Sequence, residues 1–210
     1  GFDFGKEVAA LRVHGLARDG SDRFLPEARE QLRGALDIRR QSFLLLEKVE
    51  HVAVDALTAW TYRAPVLDLA ARRALVERLC ANLRHGIGEV GTERVLERSF
   101  SALALSTLAA ADNQQPFLDE HAHDALCRAA FDYLRDEHDV RGYDERVGWR
   151  HSVAHTADLL KFVARSTQFS PAEQRVMIES LRAKLRASHT GALVWGEPER
   201  IAKALLSLVR

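Results

Sequence analysis

The stretch GWRHSVAHTADLL at 148–160 carries two imidazoles and a carboxylate at a spacing that suits metal or ligand chemistry. At about 100° per residue, a helix through it sets His155 about 40° from His151 and Asp158 about 20° to the other side, so the three share an arc of about 60°. Imidazoles at i and i+4 approach one point, and a carboxylate one turn on completes a facial set of two histidines and one acid. His151, His155 and Asp158 are therefore candidate ligands for a divalent metal such as zinc, iron or manganese. A catalytic ion would also need an open position or a further ligand from another helix. The same ridge can line a pocket for an organic ligand, or form a hydrogen-bonded core network. Val153, Ala157, Leu160 and Ala164 lie about 180–240° round the wheel and face the core, which sets the ridge in a groove.

The flanking residues extend the site. In DVRGYDERVGW at 139–149, Gly142 and Gly148 permit tight turns, and Tyr143 and Trp149 place amphipathic rings near the two ends. Arg141 can grip a carboxylate by two points, Asp139 or Asp158. In one reading Trp149 plugs the helix start; in the other the two rings wall a pocket over His151 and His155. GEPER at 196–200 reads as a helix start with acids at the positive end of the dipole. Glu197 could also reach the ridge as a fourth ligand or a base, and Asp144 is a second group able to activate water. No nucleophile–histidine string, phosphate-cradling glycine loop or HExxH is present, so no substrate is named.

Residues 117–145 carry nine acids against three arginines. His121 and His123 sit at the start of a helix there and are expected to be solvated, with His138 further on. Cys80 and Cys127 stand far apart with no metal-finger spacing and read as two buried small hydrophobes.

The elements that position these residues are helical. Ala, Leu and Arg dominate, β-branched residues are few, and no alternating strand pattern occurs. Breaks at 18–26, 63–65, 85–91, 112–116, 139–148, 168–171 and 189–198 separate segments near 4–18, 27–39, 41–62, 68–85, 92–111, 117–137, 147–167, 171–187 and 198–209. Ser170, Pro171 and Glu173 make a capping start. The expected fold is all-α, a HEAT-like α-solenoid or an irregular helical array of about eight helices, in one domain over 1–210. Thirty basic residues balance thirty acidic ones, which offers no field for phosphates and sets nucleic acid aside. The least charged stretch, 99–111, is too short to cross a bilayer and reads as a buried helix, so no membrane partner is expected. A cytoplasmic location is expected, with export open because the chain starts at Gly1 and a leader could have been removed.

The strings RSFSALALSTLAAADNQQPFL (98–118), DVRGYDERVGWRHSVAHTADLL (139–160) and GEPERIAKALLSLV (196–209) resemble a bacterial family catalogued as domain of unknown function 2785. The likeness covers 45–210, and the first 40 residues match poorly. It implies an all-helical protein and motif positions at Arg98, Asp139, Arg141, Gly142, Tyr143, Gly148, Trp149, His151, His155, Asp158, Glu197 and Arg200, but no activity. Arg150 departs from the small residue that members carry between Trp and His. Three functions follow as expectations. The first is a non-catalytic helical scaffold with a polar pocket at the ridge for a small molecule or protein. The second is a metal-dependent hydrolase using the ridge. The third is a solenoid whose concave face takes a peptide or partner helix.

Overall fold

A computed structural model describes residues 54–59, 61–62, 67–144, 148–188 and 193–209. The expected helices at 4–18 and 27–39, and most of 41–62, lie outside the described residues. Six helices follow: α1 (Leu69–Asn82), α2 (Arg94–Gln114), α3 (Glu120–Asp136), α4 (Ser152–Val163), α5 (Pro171–Ala187) and α6 (Glu197–Leu206). The fold is all-α, with one short hairpin of two-residue strands, β1 (Tyr143–Asp144) and β2 (Gly148–Trp149), inserted before α4.

Local chemistry starts these helices where side chains can satisfy their free N–H groups. Asp68 accepts from Ala71 N at the head of α1, and Asp119 accepts from Ala122 N at the head of α3. At α5 the expected capping box is formed: Ser170 Oγ accepts from Glu173 N at 3.2 Å, and Glu173 Oε2 accepts from Ser170 N at 2.7 Å. α2 runs three residues past its expected end at 111, and Asp112 Oδ1 takes the N–H groups of Phe117 and Leu118 at 2.7 and 2.8 Å. Those bonds fold the following turn back beneath the helix end.

The helices pack in two layers. α2, α4 and α6 lie against one another in chain order, and so do α1, α3 and α5; α1–α2 and α3–α4 contacts join the layers. α2 is the centre, since small Ala and Ser alternate with Leu along it and let both neighbours approach. Leu105, Leu108, Leu126, Leu134, Leu159 and Leu160 belong to one continuous hydrophobic cluster built from α2, α3 and α4. Among the described residues, no helix is long and apolar enough to cross a membrane.

The boundary that departs furthest from expectation is the start of α4. The helix expected from 147 begins at Ser152: Gly148 and Trp149 pair with Asp144 and Tyr143, and Gly148 has φ 90°. A residue with a side chain is strained there, so the hairpin rests on glycine at 148. His151 caps α4 in the left-handed conformation, φ 49° and ψ 31°, and is not a regular member of the helix. The shared 60° arc therefore does not describe His151, and its position is set by the hairpin instead.

Candidate functional site

Three successive residues of α2 tie the site together. Arg98 gives Nε and Nη2 to Glu137 at 2.5 and 3.1 Å, and Nη1 to the carbonyls of His85 and Gly86. Ser99 Oγ bonds the carbonyl of Arg150 and meets His155 Nδ1 at 2.8 Å. Phe100 stands edge-on to the His155 ring, with centroids 5.0 Å apart. The Arg-Ser-Phe string thus anchors, in order, the segment after α3, the turn before α4, and α4 itself.

Arg141 and Asp139 lock the next segment. Arg141 grips the buried Asp139 carboxylate through Nε and Nη2, and Gly91 N adds a bond at 3.1 Å. Burial pushes the Asp139 carboxyl up, but the Arg141 guanidinium and the Gly91 N–H overcome it and hold it below the ordinary range. Arg141 Nη2 also reaches Thr92 O, and Ser152 Oγ bonds Asp139 O at 2.6 Å. Of the two expected partners, Arg141 therefore takes Asp139. Glu137 Oε1 accepts from Asp139 N, and Lys184 of α5 bonds Glu137 O, so the segment is held from three helices. These charges are framework.

The rings gather over the start of α4. Trp149 stacks on His151 with centroids 4.3 Å apart and planes 4° from parallel, and His151 lies 5.5 Å from His155. Tyr143 is 4.8 Å from Trp149. Trp195, which sequence reasoning missed, completes the group at 5.4 Å from Trp149 and 6.3 Å from Tyr143. Gly142 makes this possible: a Cβ there would sit 2.0 Å from Trp195 Cδ1, so the indole rests on bare backbone. The available signal was the large ring directly before GEPER. Tyr143 is 46% exposed and Trp195 45%, so the cluster shows aromatic faces to solvent.

Glu197 enters from α6. It is buried, with Oε1 3.9 Å from His151 Nδ1 and Oε2 accepting from Trp195 N at 2.7 Å. One carboxylate thus holds the Trp195 loop against His151. The acid that sequence reasoning sent toward the ridge does reach its first histidine.

Asp158 is engaged elsewhere. Arg200 of α6 pairs with it through Nη1, and Lys161 lies 3.4 Å away. His155 is turned to Ser99, and His151 to Trp149 and Glu197. Among the described residues, His151, His155 and Asp158 do not form a group whose donor atoms lie within 4.8 Å of one another. The side chain of Asp144 lies outside the described residues. Arg150 points away from the ridge, buried, with Nη2 on Glu93 Oε1 at 2.9 Å.

One expectation needs correction. His123 is not solvated: it is 2% exposed, on the inner face of α3 one turn before the buried Cys127. A position on the first helical turn says nothing about which neighbour covers it, and here α5 does. His121 and His138 are exposed. Of the two cysteines expected to be buried, Cys127 is and Cys80 is only partly so; burial pushes the Cys127 thiol far up and that of Cys80 to about 12.

A family model described as Protein of unknown function (DUF2785) matches residues 83–210, beginning later than the resemblance at 45–210 suggested. No curated protein and no solved structure matches the chain.

Proposed function

The chain belongs to the DUF2785 family, and from that premise we propose that it is a non-catalytic helical binding protein. Its ligand face is the ring cluster of Tyr143, Trp149 and Trp195 over His151. The observation that carries this reading is the exposed pair Tyr143 and Trp195, gathered around Trp149 by the hairpin, Gly142 and Glu197. Large rings left half in water cost free energy that a monomer would normally avoid by burying them. Preorganised aromatic faces instead suit a planar or cationic organic molecule that stacks on them.

The backbone supports the same assignment. A non-glycine residue in the left-handed region costs about 1–3 kcal/mol, and such strain collects at functional sites. His151 is the one such residue among those described, and it lies directly beneath Trp149. Two layers in which alternate helices stack are the arrangement of HEAT-like arrays, and we read the fold as a short array of that kind. The hydrolase reading has less support, because Asp158 is paired with Arg200 and the His155 Nδ1 edge is turned to Ser99.

The test is a fragment screen on the full chain, using small aromatic amines, quaternary ammonium compounds and aromatic acids as probes. Indole N–H resonances are followed, assigned by single Trp→Phe variants. Binding is expected to move the resonances of Trp149 and Trp195. His151→Asn, which tolerates the left-handed backbone, should fold and lose the response. Fragments that move no indole, or that act equally on the Asn variant, defeat the proposal.

A further inference from the structure

A second cluster lies apart from the ring site, between α3 and α5. His123 and Cys127 stand one turn apart on α3, and Glu173 faces them from the first turn of α5. Both His123 ring nitrogens are 3.8 Å from Cys127 Sγ, and His123 Nδ1 is 3.8 Å from Glu173 Oε1. One donor atom from each residue lies within 4.8 Å of the other two, the one such group among the described residues. Around a tetrahedral zinc ion, bond lengths of about 2.3 Å to sulfur and about 2.0 Å to nitrogen or oxygen place donors roughly 3.3–3.6 Å apart. Side-chain movements of a fraction of an ångström to about an ångström would close the set.

The carboxylate is oriented for this role. Glu173 Oε2 is occupied by Ser170, which donates both N–H and O–H to it at 2.7 and 2.8 Å. Oε1 is buried on the side of His123, and the Cys127 thiol hydrogen-bonds to the same carboxylate. Imidazole, thiol and carboxylate thus converge on one point, where a cation would take the place of the thiol proton. A carboxylate held by its other oxygen is also how proteins aim a ligand at a metal. His123 and Cys127 are buried, while the Glu173 side chain is 17% exposed, so the cluster meets solvent at the acid.

We propose that His123, Cys127 and Glu173 form a site for a zinc-class divalent transition-metal ion, with a fourth position toward solvent. The thiolate and imidazole select such an ion over calcium or magnesium, which take oxygen ligands. On binding, the Cys127 thiol gives its proton to solvent as the sulfur–metal bond forms, and no electrons are transferred. The ion would staple α3 to α5, beside the contact of Phe131 on α3 with Phe169 in the turn before α5.

The experiment uses the untagged full chain, reduced and stripped with chelator, then titrated with Co(II) and Zn(II). Co(II) is expected to bind at one equivalent and develop a thiolate-to-cobalt charge-transfer band that Zn(II) abolishes. Cys127→Ser should lose the band. Glu173→Gln keeps the Ser170 cap and should fold with wild-type helicity, yet weaken cobalt binding at least tenfold. Zn(II), but not Ca(II), should raise the melting temperature of the wild type. No band, a band that survives Cys127→Ser, or unchanged affinity in Glu173→Gln overturns the proposal. Cobalt that binds without the charge-transfer band and is lost in Asp158→Asn instead places the ion at the histidine ridge and also overturns it. None of these readouts involves the ring cluster, so the binding proposal above stands or falls separately.

Discussion

Arg98 and Glu137 face each other as a two-point ion pair from which water is excluded, their side chains 0% and 2% exposed. The pair joins the N-terminal part of the central helix to the segment that leads into the hairpin. Charges this deep are costly to desolvate, so the pair adds little net stability compared with an apolar replacement, but removing one partner strands the other. Glu137→Leu should therefore cost about 3–5 kcal/mol by denaturant unfolding. The double variant Arg98→Met with Glu137→Leu should recover a substantial part of that loss. A single variant within about 1 kcal/mol of wild type would show that Arg98 finds other partners.

The Asp139–Arg141 grip predicts a pH dependence. The folded Asp139 carboxyl lies below its unfolded value of about 3.9. Its contribution to stability is thus fully present above that value and is lost as pH falls through the lower folded value. The difference in unfolding free energy between wild type and Asp139→Asn should be constant near neutrality and shrink below about pH 4. A difference that grows on acidification would contradict the grip.

Gly142→Ala should displace Trp195 without unfolding the array. The added Cβ meets the indole at 2.0 Å, and the indole is the part able to swing into solvent. Overpacking of this kind costs about 1–3 kcal/mol. Trp195 emission should shift to the red and its solvent quenching should increase. Unchanged emission would mean that the ring does not rest on Gly142 in solution.

Asp158 gives a test of the ridge. Its partners are Arg200, which is 37% exposed, and Lys161, so screening limits the pair. Asp158→Ala should lower stability by about 1 kcal/mol. Chelator should leave the gap between wild type and variant unchanged, even where it lowers both melts. A chelator effect seen in the wild type alone would make Asp158 a metal ligand.

Local rules made much of this molecule legible. Periodicity of 3.6 residues located α1 to α6, and Ser170-Pro-Ala-Glu marked the head of α5 to the residue, because a capping box is closed within four positions. The motif residues Tyr143, Trp149, His151 and Glu197 were also picked out, and the fold does bring them to one place. The hairpin was not legible, since two-residue strands leave no alternating pattern and helical propensity favoured running α4 back through Trp149.

The sequence by itself determined the helical segments, their starts, and the residue types able to do chemistry, because each follows from neighbours within about one turn. Only the tertiary structure decided which of those groups meet. Asp158 turns to Arg200, forty-two positions on, and Trp195 crosses to the bare backbone of Gly142. His123 leaves water because α5 docks over α3 and brings Glu173 with it. Such pairings rest on how two layers of helices stack, and the energy that selects them is burial summed over the whole interface. No short string of residues carries that sum.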